Sequence, residues 1–377
     1  MRVLLSGYYG FGNLGDEALL GGLLAALESR GVEALVLSGD PAATTALHGV
    51  AARHRTRGLL AGILESDAVV SGGGGLLQDG SSQRSLRYYL GVIGLARLLR
   101  RPTVVFAQSL GPLSPDGRTR VAAALKGVPV MVRDASSLGL AESLGLGASL
   151  VADPALLLPL PAEFAIATGP VSPAAPMKRT ETKTELGPVL LIPRGGHPAL
   201  NDALIGLASR LLAYGEPVQA LAMHPSEDAA EVTRLVEAVP GVASVEAATP
   251  ADALRLIAGV RYVVSVRLHG CILAARVGTG FAGLSYDPKV AGFLEQVGAP
   301  AFHLPVDVDA LTRVVALPSD QPPFANEPGP NAAAGVVGSV QRAGFDAEAL
   351  RRLTRLANDG VDRLVAALQS RSPGSRR

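Results

Sequence analysis

Four cations stand where short apolar runs end. Arg133 follows Val130–Val132, Arg194 follows Val189–Pro193, Arg267 follows Tyr262–Val266, and Lys289 comes just after Phe281–Ser285. Apolar runs of this length read as strands, and open α/β sheets bind ligands at the carboxyl ends of their strands. Four cations on that edge point to a small, highly charged anion. His269 lies two residues past Arg267, in Ser265–Gly270. On an extended chain alternate side chains share a face, so guanidinium and imidazole would meet the same ligand, one as charge and one as proton donor.

Two glycine-rich stretches add to this set. Gly10-Phe11-Gly12-Asn13-Leu14-Gly15 matches GxGxxG between an apolar run and a helical pattern, and Asp40 closes the next run. That is the setting of a dinucleotide fingerprint. Two features oppose that reading: Gly7, Tyr8 and Tyr9 intervene before the motif, and Asp16-Glu17 would set two carboxylates where a pyrophosphate seeks the positive end of the helix. Asp16 is either a helix cap or a carboxylate at a cleft mouth that takes a proton from a hydroxyl. Gly72–Gly75 reads as a loop with no Cβ atoms, open to a ligand or a second backbone. The polar run after it, from Gln78 and Asp79 to Arg84, suits sugar hydroxyls, with Tyr88 and Tyr89 as apolar platforms or as core.

The elements that position these residues follow from the alternation of apolar runs with helical patterns, the grammar of a parallel sheet. Strands are expected at Val3–Ser6, Ala34–Ser38, Ala68–Ser71, Thr103–Ala107 and Val130–Val132, and helices at Asp16–Ser29, Ser85–Leu99, Gly117–Leu125 and Ala135–Leu144. A second series is expected at Val189–Pro193, Val218–Ala222, Val242–Val245, Tyr262–Val266 and Phe281–Ser285. The Pro- and Thr-rich stretch 168–188 reads as a linker or mobile loop, 322–334 as a connector, and Asp346–Ser370 as a long helix before a basic tail. The division is therefore a Rossmann-like domain at 1–167, a linker at 168–188, a second Rossmann-like domain at 189–345, and a terminal helix and tail at 346–377.

Composition limits the partners. The 377 residues carry 34 basic and 33 acidic side chains, and 48% are hydrophobic, which argues against global disorder and against a nucleic-acid binder. The single cysteine, Cys271, supports no disulfide framework, and no run approaches the roughly 20 apolar residues of a membrane span. No clustered His, Cys and Asp set suggests a metal or another cofactor. The chain reads as cytoplasmic.

Taken together, these motifs resemble the polysaccharide pyruvyl transferase family. The resemblance rests on Gly7–Ala18, Gly72–Asp79, Ser265–Gly270 and Tyr286–Val290, in that order over about residues 1–300, and is closest to the branch that modifies secondary cell-wall polymer precursors. It implies an α/β fold of two Rossmann-like domains facing a cleft, as in GT-B glycosyltransferases. It also implies transfer of a pyruvyl group from phosphoenolpyruvate to a sugar, commonly N-acetylmannosamine, as a 4,6-ketal with release of phosphate. On this resemblance His269 and Asp16 are catalytic, Arg133, Arg194, Arg267, Lys289, Gly12 and Gly15 hold the donor, and Tyr9, Asn13, Gln78, Asp79 and Arg84 hold the acceptor. Rival readings are a GT-B glycosyltransferase using a nucleotide sugar, a non-catalytic sugar-binding module, and the nicotinamide enzyme considered above. A lipid-linked acceptor would place the enzyme at the inner face of the membrane. Residues 351–377, with seven arginines against Asp359 and Asp362, are the expected point of peripheral contact.

Overall fold

The structure is a computed structural model that describes residues 1–80, 82–165, 187–316 and 344–371. Most of the expected linker, the connector 322–334 and the end of the basic tail lie outside the described residues. Two parallel sheets organise the chain. The first contains β1 (Arg2–Ser6), β2 (Glu33–Ser38), β3 (Ala51–His54), β4 (Ala68–Leu77), β5 (Thr103–Leu110), β6 (Val130–Val132) and β7 (Ala148–Leu150), in the order β3-β2-β1-β4-β5-β6-β7. The second contains β8 (Val189–Ile192), β9 (Val218–Leu221), β10 (Ala243–Val245), β11 (Tyr262–Ser265), β12 (Gly280–Ser285) and β13 (Ala301–His303), in the order β10-β9-β8-β11-β12-β13.

Helices cover these sheets. With the first run α1 (Leu14–Glu28), α2 (Pro41–His48), α3 (Leu59–Leu64), α4 (Gln83–Leu98), α5 (Pro115–Leu125), α6 (Ala135–Ser143), a short 3-10 turn Pro154–Leu157 and α7 (Ala162–Ala165). With the second run α8 (Pro198–Ala213), α9 (Pro225–Ala238), α10 (Pro250–Gly259), α11 (Leu268–Val277), α12 (Pro288–Gln296) and α13 (Val308–Val315); α14 (Ala347–Gln369) closes the chain. Central strands are largely apolar because helices bury both of their faces.

The strand order reverses between β1 and β4 in one sheet and between β8 and β11 in the other. A crevice opens outside the carboxyl ends of strands at such a switch point. The residues at these edges are the glycine motif and β4 glycines on one side, and Arg194 and Arg267 on the other.

Two expectations change. Gly72–Gly75 is not a loop, because β4 continues through it to Leu77 and pairs with β5 across an irregular register between Gly74 and Leu77. Gly73 and Gly74 adopt φ of +75° and +80°, and a Cβ on Gly73 would lie 2.1 Å from Leu19 of α1. The glycines let α1 press on the strand. Nor is the chain extended from Arg267 to His269. The Ser265 hydroxyl accepts from the Arg267 N–H (3.0 Å), and the helix α11 starts at Leu268, so strand alternation does not govern these two side chains.

Candidate active site

The first domain presents the amino end of α1. The Asn13 side chain caps it by accepting from the Gly15 N–H at 3.0 Å. Of the two carboxylates in the first turn, Glu17 is structural: it accepts from the Gly10 N–H at 2.7 Å and meets His48 Nε2 at 2.8 Å, fixing the glycine loop. Asp16 makes no hydrogen bond or ion pair among the described residues, and a Cβ on Gly74 would lie 3.1 Å from its Oδ1. Burial raises its carboxyl above the usual range, against the opposing pull of His269 and Arg133. A carboxylate with a raised pKa facing a cleft suits proton transfer.

Arg133, at the end of β6, is buried. Its Nε donates to Ser109 Oγ at 2.9 Å and its Nη1 pairs closely with Asp153, which stands just before the 3-10 turn. His269 Nε2 approaches the same Asp153 Oδ2 at 3.5 Å, from the second domain. Asp153 thus bridges the two domains, and although burial opposes its charge, Arg133 and His269 hold it well below the usual carboxylate range. The close approach needs Gly15, since a Cβ there would lie 2.3 Å from His269 Nδ1.

The second domain supplies the other cations. Lys289, in the first turn of α12, has its ammonium 3.0 Å from Asp287 Oδ2 and reaches the first domain, where a Cβ on Gly75 would lie 3.4 Å from Nζ. Burial lowers its pKa, reinforced by the positive charges of Arg133 and Arg194. Arg194 lies 4.8 Å from the ring of Tyr286 and donates to its hydroxyl, while His197 stacks on the same ring at 3.9 Å. Arg267 caps α11 but spends its guanidinium within the second domain: Nε donates to Asp228 at 2.9 Å and Nη2 to Glu227 at 2.8 Å. It is a buried ion pair that shapes the edge. Between the domains lies a cavity lined by Arg133, Asp153 and Lys289 together with Leu156, Ile272, Phe293 and Leu353.

Asp16, Gly15, Arg133, His269 and Lys289 are therefore brought together, with Arg194 beside them. The expected acceptor residues are dispersed. Tyr9 is buried in the core and donates to the Gly72 carbonyl at 2.8 Å, so it presents no surface to a sugar. Asp79 ties β4 to α5 by accepting from the Ser114 N–H at 2.8 Å and from its hydroxyl, which holds the carboxyl below its ordinary range. Arg84 is exposed on α4 and Gln78 is half-buried; Gly12, expected at the donor, is exposed with φ +72°. Asp153 was missed because its sequence setting, Ala152-Asp153-Pro154, reads as a turn and helix cap, a role it also fills by accepting from Ala155 N–H at 2.9 Å. His197 and Asp228 gave no signal separable from ordinary helix starts. Among the described residues no group of three or more His, Cys, Asp and Glu side chains could hold a metal ion.

The polysaccharide pyruvyl transferase family model matches residues 13–288. The chain belongs to this family. No curated protein matches the sequence. Solved structures with a similar fold include Anabaena HepE in complex with UDP-glucose (TM-score 0.55, 14% identity, 97% of this chain and 100% of that chain). A glycosyltransferase from Rickettsia africae matches at TM-score 0.57 and 11% identity over 99% of each chain. The UDP-GlcNAc 2-epimerase of Neisseria meningitidis bound to UDP-GlcNAc matches at 0.54 and 10%, over 98% of this chain and 100% of that one. These identities show the fold alone, and the fold is the GT-B arrangement of two facing α/β domains.

Proposed function

We propose that this member of the family transfers a pyruvyl group from phosphoenolpyruvate to a sugar of a cell-wall polysaccharide precursor, with N-acetylmannosamine in a secondary cell-wall polymer as the first candidate. The observation that carries the reading is the convergence of Asp16, Arg133, His269 and Lys289 from two domains on one interdomain site. Arg133 and Lys289, with Arg194 nearby, offer charge to the phosphate and carboxylate of the donor. His269, oriented by Asp153, gives a proton to the donor methylene as C2 develops positive character. One sugar hydroxyl attacks C2 and passes its proton to Asp16, which hands it on to the departing phosphate. The second hydroxyl attacks as phosphate departs, and its proton restores the acid. The products are a 4,6-ketal and phosphate, with no change in oxidation state. Arg267 acts here by positioning the start of α11.

Pure enzyme with phosphoenolpyruvate and candidate glycosyl acceptors, analysed by mass spectrometry, tests the proposal. A product heavier by one pyruvyl ketal, with equimolar phosphate, is expected. Glycosyl transfer from a UDP-sugar without phosphate release would establish the nucleotide-sugar alternative.

The setting we infer is cytoplasmic, at the inner membrane face when the acceptor is lipid-linked. No helix among the described residues is long and apolar enough to cross a membrane. On α14, Arg351 and Arg355 are exposed, whereas Arg363 donates to the Leu150 carbonyl at 2.7 Å and, just past the helix, Arg371 to the Gly127 carbonyl at 3.1 Å. Sedimentation with anionic vesicles that weakens with salt is the expected behaviour.

A further inference from the structure

α3 and α4 lie side by side on one face of the first sheet, tied together near both ends. The Tyr88 hydroxyl of α4 donates to the Arg55 carbonyl ahead of α3 at 2.8 Å, and Arg101, just past α4, donates to the Leu64 carbonyl of α3 at 2.8 Å. Beneath them Ile63 of α3 and Val92 and Ala96 of α4 share a buried cluster with Leu4 and Val69 of the sheet. The outer side of the pair is apolar and open. Leu60 and Leu64, one turn apart on α3, are each 53% exposed, and Leu98 on α4 is 78% exposed. They are three of the six large hydrophobic side chains exposed among the described residues. Leu95, one turn before Leu98, is half-buried against the same cluster and joins the two helices into one surface. Gly91 and Gly94 extend the open side of α4, and a Cβ on either would meet nothing. Glycine weakens a helix interior, and no packing within the chain calls for it at these two positions.

The charge around this surface has one sign. Residues 83–101 hold five arginines and no acidic side chain, and Arg57, Arg84, Arg87 and Arg100 are exposed. The neighbouring acids are already taken: Glu65 by Arg53 at 2.6 Å, Asp116 by Arg120 at 2.9 Å, and Asp67 by the Arg2 N–H at 2.8 Å. Exposed leucines rimmed by arginines match a bilayer with acidic headgroups, the leucines entering the acyl boundary and the guanidinium groups meeting phosphates. A second copy of the chain would set arginine against arginine, and like charge opposes that pairing. We propose that the α3–α4 flank of the first domain is a docking surface for an anionic membrane. Both helices start beyond the carboxyl ends of strands, so the flank begins at the cleft edge. It is not the surface of α14. A Cβ on Gly360 of α14 would lie 3.6 Å from Phe106 of β5, whereas the next residue, Val105, shares a buried cluster with Tyr89 and Ile93 of α4. Successive strand residues face opposite sides, so α14 and α4 cover opposite faces of the sheet, and one flat bilayer cannot meet both. The proposal refines the membrane setting inferred above and does not depend on the transfer chemistry.

Co-sedimentation of the full-length protein with vesicles of phosphatidylcholine alone, and of phosphatidylcholine with phosphatidylglycerol, tests it. The wild type should bind the anionic vesicles in preference, and added salt should weaken the binding. Leu64→Ser combined with Leu98→Ser, which leaves the charge unchanged, should weaken it about tenfold or more, and so should Arg57→Ala combined with Arg100→Ala. Arg351→Ala combined with Arg355→Ala should stay within about twofold of wild type. All six side chains are exposed, so melting temperatures near that of the wild type are expected and check the fold. Vesicle binding that neither α3–α4 pair weakens overturns the proposal, and loss confined to the Arg351 and Arg355 pair moves the contact to α14. A wild-type dimer that the leucine pair dissociates, with vesicle binding retained, would make the flank an interface between copies instead. Wild type that forms the pyruvyl ketal but binds no vesicle overturns the docking surface and leaves the transferase reading standing. Wild type that docks through the flank but forms no ketal does the reverse.

Discussion

Asp16 and Asp153 are both desolvated carboxylates at the cleft, and their surroundings push them in opposite directions. Asp153 is held ionised by Arg133 and His269, whereas Asp16 has no hydrogen-bond or ion-pair partner among the described residues and burial raises its pKa. For Asp153 the folded pKa is depressed, so its stabilisation is present above the ordinary carboxyl value and lost as pH falls below it. Asp153→Asn should cost about 3–5 kcal/mol by leaving Arg133 buried and uncompensated, seen as a lower midpoint in denaturant. For Asp16 the sign reverses. The folded state holds its proton more tightly than the unfolded chain, so the wild type loses stability as pH rises from the unfolded value toward the raised folded one. Asp16→Asn should therefore melt higher than wild type at neutral pH, the gap closing in acid, while turnover falls by about 10²-fold or more. A variant with equal turnover would reduce Asp16 to a residue of the helix start. Lys289 adds an alkaline limit. Its lowered pKa means that it discharges below the ordinary lysine range, so KM for phosphoenolpyruvate should rise with pH before that range is reached, and Lys289→Met should remove the dependence. Lys289 was legible as a cation just past a strand and Asp16 as a carboxylate opening a helix after a glycine motif, whereas Asp153 was not, because Ala152-Asp153-Pro154 reads as a turn. What Arg267 does was not, because its partner Asp228 lies on a helix 39 residues away in sequence.

At the scale of elements, the buried strands were readable, and of the edge strands only β10 was, expected at Val242–Val245. β1, β4, β5, β8 and β11 are covered on both faces, so each leaves an apolar run in the sequence. β3, β7 and β13 are short, partly exposed edges, and β3 reads Ala-Ala-Arg-His with no run at all. The β4 glycines misled for a related reason: glycine usually breaks a strand, but here it makes room for α1 on a strand that continues. Two substitutions separate the roles of these glycines. Gly73→Ala meets Leu19 at a positive φ and should destabilise the first domain by about 1–3 kcal/mol, measured by chemical denaturation. Gly15→Ala instead meets the His269 ring across the domain boundary. The hydrophobic core runs on across that boundary, so the melting temperature should fall, and the displaced imidazole should in addition cost about 10²-fold in turnover.

For the whole molecule, the site exists only while the two domains face each other as they do here, and α14 holds them so. The helix leaves the second domain and packs on the first. Arg30 pairs with Asp362 at 2.7 Å, and Gly360 lies against Val151, where a Cβ would come within 2.9 Å. The amino end of α1 adds a backbone link, Leu14 N–H to the Met223 carbonyl at 2.9 Å. Leu353, two turns before Gly360 on α14, lines the interdomain cavity beside the Arg133–Asp153 pair. A change in α14 docking must therefore reach the donor site without touching a reacting atom. Gly360→Leu, which forces the helix off Val151, should raise KM for phosphoenolpyruvate about tenfold or more and expose the α14 junction to limited proteolysis. Asp362→Ala removes only the exposed ion pair with Arg30, worth about 1 kcal/mol or less, and should leave KM close to wild type. If Gly360→Leu kept the wild-type KM while α14 became protease-sensitive, the helix would be a stabilising strap alone, and the facing of the domains would have to be set by the α1 contacts.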